Sequence, residues 1–349
     1  MRIFIDDGST NIKMLWEQDG ETFTHISPNS FKRGWSATFG AGKPFNYTVD
    51  DEKYSFDLIT PDALPTNNID WQYSPLNSIA VHHALLTSGL EPQDVEIVVT
   101  LPLTEFYDED AQYRLDNIER KKKSLLREVK LNKGVVFNIT KVTVRPESIP
   151  AGISLCDELK PSHSVLIVDL GGTTLDISMV AGQMTSVSRI YGDPKLGVSL
   201  VTDAVKLALA RANTDTSSYN VDQIIINRHD EEYLTDNIND PDAVSEVKKV
   251  ISNSIERLTT RVLTAIDSFK GYSHAIVIGG GAPLVADAIR ERMGLREDRF
   301  VVADEPQFAL VPWSENYWLR SVYDSGSQKG SDIPTPGYQR QRALCGREN

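Results

Sequence analysis

Apolar residues in this chain fall into two rhythms, short runs of strand length and longer stretches at helical spacing. Ile3-Phe4-Ile5 runs into the polar turn Asp6-Asp7-Gly8-Ser9, and a mixed stretch continues to Trp16, which predicts strand, tight turn, strand. Up to about Tyr73 the pattern stays short, punctuated by Gly34, Gly40, Gly42, Pro61 and Pro65. A helix is then expected from Leu76 to Ser88, closed by Gly89 in the position just past a helix end. Val95–Val99 reads as a buried strand, and a charged helix bearing Leu115, Ile118, Leu125 and Leu126 follows. The second half opens on the apolar strand Ser164–Asp169. Helical patterns cover Ser199–Ala212 and Asp242–Phe269, separated by the polar connection Asn213–Asn220 and a predicted strand at Gln223–Ile226. His274–Ile278 is a further strand that enters Gly279-Gly280-Gly281 and then a helix, Leu284–Met293. Strands alternating with long helices predict an α/β fold.

An internal repeat refines that expectation. Ile3–Ile12 aligns without gaps with Leu166–Leu175, so that Asp6 matches Asp169, Gly8 matches Gly171, and Thr10 matches Thr173. Two copies half a chain apart predict two lobes that share one core hairpin and face each other. Glycine in such a turn permits close backbone approach, and consecutive N–H groups form a concave nest for phosphate oxygens. Ser9, Thr10, Thr173 and Thr174 would add hydroxyl donors, and Lys13 a point charge for the β- and γ-phosphates. Asp6 and Asp169 would then face one another across the phosphates, a pair suited to Mg²⁺ held largely through water. Either turn by itself reads equally as a plain Asp-Gly or Gly-Gly hairpin; the pairing is what points to a nucleotide.

Two further elements bear on chemistry. Gly279-Gly280-Gly281 would let a base or ribose pack against backbone, although Leu284 stands where a dinucleotide fingerprint needs its last glycine. Glu147, in Arg145-Pro146-Glu147-Ser148-Ile149-Pro150, either stabilises a helix start or orients a water attacking a γ-phosphate. The segment Gly40-Ala41-Gly42-Lys43-Pro44 is not a P-loop, since Ala37 and Pro44 replace required residues. His82-His83 reads as packing, and Arg120–Lys123 as a solvated helix face.

Composition narrows the setting. A net charge of −13 over 349 residues argues against direct binding of bare nucleic acid, which needs a basic surface. Cys156 and Cys345 are too few for a disulfide framework and suit a reducing compartment. No apolar run approaches the ~18 residues of a membrane span, and the N-terminus enters a strand with no signal-peptide region. A cytoplasmic protein with no membrane contact is expected.

The order of motifs, Asp6-Asp7-Gly8-Ser9-Thr10-Asn11-Ile12-Lys13, Pro146–Gly152, Asp169–Asp176 and Ile278–Ala282, resembles the actin, Hsp70 and sugar-kinase superfamily. His25–Phe31, Ala80–Gly89, Thr100–Thr104 and Tyr191–Val201 narrow the resemblance to the ParM/StbA plasmid-partitioning actins, over residues 2 to 311. That resemblance implies an actin-like ATPase fold, two lobes each with a ribonuclease-H-like core and a nucleotide cleft between them. It places domain I at 1–163, domain II at 164–311 and an atypical, poorly ordered tail at 312–349 that departs from the family. It implies polymerisation with Mg-ATP (GTP being the alternative), filaments built from copies of this chain, and plasmid DNA engaged through a ParR-type adaptor. By position, Asp6, Asp7, Gly8, Ser9, Thr10, Asn11 and Lys13 would form the first phosphate loop, and Gly171, Gly172, Thr173 and Thr174 the second. Glu147 and Asp169 would be catalytic, Asp169 and Asp6 would hold Mg²⁺ through water, and Gly279, Gly280 and Gly281 would meet the adenosine. A metabolite kinase or an Hsp70-like ATPase on the same fold is the rival expectation.

Overall fold

Duplication extends from the two hairpins to whole sheets. The computed structural model describes residues 1–39, 44–152, 159–184 and 186–303. Its first half runs β1 (Arg2–Asp7), β2 (Asn11–Gln18), β3 (Glu21–Pro28), β4 (Phe31–Arg33), β5 (Asn46–Val49), β6 (Glu52–Phe56), α1 (Pro75–Thr87), β7 (Asp94–Leu101), α2 (Leu103–Phe106), α3 (Leu115–Leu125), β8 (Lys130–Leu131) and β9 (Asn138–Pro146). The second half runs β10 (Ser164–Leu170), β11 (Leu175–Ala181), β12 (Val187–Asp193), α4 (Ser199–Arg211), α5 (Ser218–Ile226), α6 (Glu231–Asn237), α7 (Val244–Asp267), β13 (His274–Ile278), α8 (Ala282–Met293) and β14 (Phe300–Val302).

The two five-stranded sheets have the orders β3-β2-β1-β7-β9 and β12-β11-β10-β13-β14. In each, the first three strands are an antiparallel meander and the last two are added in parallel. Parallel addition requires a long crossover, and the helices supply it. Register matches as well: Asp6 sits opposite Lys13 in the first hairpin, and Asp169 opposite Asp176 in the second.

Burial follows the predicted periodicities. Along α7, Val247, Ile251, Ser254, Leu258, Val262 and Ala265 are buried at spacings of three and four, so one stripe of that helix faces the core. Helix α1 starts from Ser74, whose hydroxyl accepts from the Asn77 N–H at 3.1 Å, with Pro75 at its first position. His82 and His83 are buried on it, as expected of packing residues: His83 stacks on Phe56 at 4.0 Å and hydrogen-bonds the Tyr47 hydroxyl at 2.8 Å. A small sheet, β4-β6-β5-β8, packs around that aromatic group.

Three expectations are corrected. Gln223–Ile226 is the end of helix α5, not a strand. A four-residue apolar run does not separate the two states; the Ser217 hydroxyl accepts from the Asn220 N–H at 3.3 Å, and Val221, Ile224 and Ile225 face inward at helical spacing. On α3, Leu115 and Leu126 are exposed while Ile118 and Leu125 are buried. Lys121 is not on a solvated face, because it falls on the same buried stripe, three residues after Ile118 and four before Leu125. The Gly40–Lys43 segment and the expected tail at 312–349 lie outside the described residues. Among the described residues no helix is long and apolar enough to cross a membrane.

Candidate nucleotide cleft

Between the two sheets lies a cavity of 410 Å³, a size suited to a small-molecule ligand. Asp6, Gly8, Ser9, Thr10, Asn11 and Lys13 line it from the first hairpin, and Asp169, Gly171, Gly172, Thr173 and Thr174 from the second. Glu147, Gly279 and Gly280 line it as well.

The hairpins meet directly: the hydroxyls of Ser9 and Thr173 lie 2.6 Å apart. A Cβ on Gly172 would run into the Thr10 hydroxyl, so glycine there is a condition of that close approach. Asn29 braces the first turn from below, its Nδ2 donating to the carbonyls of Gly8 at 2.8 Å and Ser9 at 2.9 Å. Gly279 has φ +87°, and a side chain there would strike Asp169.

Electrostatics set the halves of the cleft apart. Lys13 Nζ donates to Asp6 Oδ2 at 2.6 Å. Burial opposes the Lys13 charge, but Asp6, with Asp169 and Glu147 behind it, outweighs burial and raises its pKa. Asp169 has no such counterion: burial, then Asp176 and Asp6, push its pKa up to about 8. Burial likewise lifts Asp176 to about 6, against the Leu103 N–H that donates to its Oδ1 at 3.0 Å. Glu147 is raised well above the ordinary carboxylate range by burial, then by Asp176, Asp6 and Asp169. The chain turns to deliver Glu147 at Ser148, whose φ of +61° is unusual for a residue with a side chain. That conformation is held by the Ser148 N–H donating to Asp169 and by its hydroxyl 3.1 Å from that of Ser178. A short 3-10 turn, Ile149–Gly152, follows Glu147 where a helix start was expected.

A hydrated divalent cation fits this arrangement. Asp169 Oδ2 is buried with no hydrogen-bond partner, and it lines the cleft together with Asp6. Among the described residues no cluster of three or more His, Cys, Asp or Glu side chains is placed to ligate a metal directly.

Two expected site residues are placed elsewhere. Asp7 does not line the cleft; strand alternation turns its carboxylate to the opposite side of β1, where Lys121 and Asn77 hold it. Gly281 faces Leu170 and Val198, so its missing side chain serves the packing of α8.

The chain is matched in tandem by two family descriptions, "Plasmid segregation protein ParM, N-terminal" over residues 1–158 and "Plasmid segregation protein ParM, C-terminal" over residues 159–313. It belongs to the ParM family. Similar solved structures include a pCBH ParM non-polymerisable quadruple mutant, with 18% identity, TM-score 0.64 and coverage of 88% of this chain and 96% of that one. A 15-stranded ParM filament from Clostridium botulinum gives 18%, 0.63, 88% and 95% in the same order. Ta0583, an archaeal actin homologue, in complex with ADP gives 18%, 0.61, 89% and 96%. At such identities the likeness is one of fold, and that fold is the actin-like one, with two lobes flanking a cleft. No curated protein gives a match.

Several cleft residues of this ParM-family chain were not anticipated from its sequence. Gln72 enters from the first lobe, and Asp222, Ile226 and Arg228 from α5 and its C-terminal end. Asp222 has no hydrogen-bond partner among the described residues, and burial raises its pKa to about 6. Ile226 is 64% exposed yet lines the cavity with Leu284. An apolar side chain left open on a cleft wall was the available signal, and reading this segment as a strand concealed it. Asp176 was also missed, although extending the gapless repeat pairs it with Lys13.

Proposed function

We propose that this chain is an Mg-dependent ATPase that polymerises with ATP into dynamic filaments and segregates low-copy plasmid DNA through a ParR-type DNA-bound adaptor. The observation that carries the reading is the facing pair of duplicated hairpins, with Asp6, Asp169 and Glu147 on one cavity. Family membership supports the plasmid setting. The net charge of −13 favours an adaptor over direct DNA contact. Its setting is cytoplasmic, and the working parts are domain I at 1–163 and domain II at 164–311.

In this reading the turn amides and the hydroxyls of Ser9, Thr10, Thr173 and Thr174 cradle the phosphates. Lys13 shares its charge between Asp6 and the phosphate chain. Asp169 and Asp6 would hold Mg²⁺ through water, and the bound ion would offset phosphate charge that repels an incoming nucleophile. Glu147, once ionised, orients the attacking water and accepts its proton. Asp222 accepts hydrogen bonds from ribose hydroxyls, while Ile226 and Leu284 flank the base. ATP is the expected nucleotide, with GTP the alternative.

Light scattering and pelleting at micromolar protein, with Mg-ATP, Mg-ADP or no nucleotide, test this directly. Scattering should rise with Mg-ATP and decay as phosphate is released. Glu147→Ala should still assemble while phosphate release falls by about 10²-fold or more. Scattering that never rises with Mg-ATP or a slowly hydrolysed analogue removes the filament claim, and undiminished release in Glu147→Ala removes that residue from the chemistry.

A further inference from the structure

Lys121 is fully buried, at 0% exposure, beneath the first hairpin. Its three N–H groups are shared among four acceptors, the Asp7 carboxylate, the Gln72 backbone carbonyl at 2.9 Å, Gln72 Oε1 at 2.6 Å and Asn77 Oδ1 at 3.2 Å. An ammonium offers donors and no acceptor, so both amide side chains must turn their oxygens toward it. For Asn77 this directs Nδ2 onto Asp7 Oδ2, at 2.9 Å. For Gln72 it leaves Nε2 as the remaining polar end of a side chain that lines the cleft.

Gln72 lines the cleft beside Trp71, whose ring N–H donates to the Asp7 carbonyl at 3.1 Å. Lys121 joins Gln72 to Asp7, the residue that follows Asp6, so Gln72 stands on the first-hairpin side of the cavity. The cavity is already crowded with acceptors, namely Asp6, Glu147 and Asp169. An amide oxygen turned into it would repel a phosphate, whereas an amide N–H would bond one, and a bond to an anionic oxygen is the stronger kind.

We propose that Lys121 is a positioning residue: by holding the Gln72 amide oxygen, it presents Gln72 Nε2 to the cleft as a hydrogen-bond donor to the phosphate chain of the nucleotide. The role rests on the nucleotide reading above. The Lys121 charge itself stays under the hairpin with Asp7, so it acts on the ligand only through Gln72. A Lys121 that merely neutralised Asp7 would loosen the lobe without distinguishing one nucleoside ligand from another.

The test is binding of ATP and of adenosine to the full chain, by calorimetry, for wild type, Gln72→Glu, Gln72→Leu and the double variant Asp7→Asn/Lys121→Met. Gln72→Glu replaces the donor by an anionic oxygen and should weaken ATP about tenfold or more while shifting adenosine less than about twofold. Gln72→Leu, which introduces no charge, should show the same selectivity at smaller size, and it carries the test if Gln72→Glu fails to fold. The double variant removes the buried ion pair as a unit and should lose ATP affinity as Gln72→Leu does, with adenosine affinity retained. An ATP-to-adenosine affinity ratio unchanged from wild type in both Gln72 variants overturns the positioning role alone. A wild-type chain that takes up neither ligand overturns the nucleotide reading, and this role with it.

Discussion

In the first hairpin each aspartate has a cation: Asp6 faces Lys13 across the strand pair, and Asp7 meets the buried Lys121. In the second hairpin the position facing Asp169 is taken by Asp176, and neither carboxylate has an ion-pair partner among the described residues. The backbone frame is the same, but one copy pairs its carboxylates with lysines and the other sets two carboxyls against each other. One hairpin carries its own counterions, while the other buries two carboxyls without an ion-pair partner among the described residues. A duplicated fold can therefore divide labour without changing topology, through one cross-strand residue, Lys13 in one copy and Asp176 in the other.

The contrast breaks most readily at Lys13. Lys13→Met leaves Asp6 buried without its cation, and should destabilise the ligand-free chain by about 3–5 kcal/mol, read as the shift in denaturant midpoint at constant m-value. A loss below 1 kcal/mol would mean that water already reaches Asp6 and that the first hairpin is no more self-sufficient than the second.

Asp169→Asn should do the reverse to stability. It relieves the clash with Asp176 and Asp6, so the ligand-free variant should melt higher than wild type, while Mg-ATP turnover falls about 10²-fold or more. A variant that melts lower would show that Asp169 is already compensated in the empty cleft.

The smallest effect is the pH slope. A folded-state pKa of about 8 for Asp169, against ~3.9 in an unfolded chain, means that the folded state holds the extra proton. Its stabilising contribution is full below the unfolded value and is lost as pH rises through 8. Burial lowers the pKa of His82 to about 4 and of His83 to about 3, with the opposite sign of effect, so the window free of them lies above their unfolded value of ~6.5. Between about pH 6.5 and 8 Asp169 should contribute a loss of roughly 1.4 kcal/mol per pH unit, to which Glu147, also raised by burial, adds with the same sign; Asp169→Asn should remove the Asp169 share alone.

The hairpins, the strand and helix order and most of the cleft were legible because they rest on local chemistry: periodic burial, glycine at turns and a repeat within one chain. What was not legible depends on which way a side chain points. Asp7 and Asp6 are adjacent and chemically identical, yet strand alternation sends only Asp6 into the cleft. Lys121 sits in a run of four basic residues, and only its register with Ile118 and Leu125 marks it as buried. The Gln223–Ile226 run hid its helix because the residue that caps it, Ser217, lies outside the apolar stretch. Asp222, Ile226 and Arg228 were hidden with it.

The bond between the Ser9 and Thr173 hydroxyls has a consequence for how the cleft accepts a ligand. Either hydroxyl can donate, and each is as good a partner for a phosphate oxygen as for the other hydroxyl. Under the proposed function, inserting a phosphate would exchange one contact for two of similar kind, and separating the lobes at this point need not leave a polar group bare. In the proposed function the two halves would be buttoned by a fastening that the ligand itself can undo, which would keep the closed, empty form from becoming a trap.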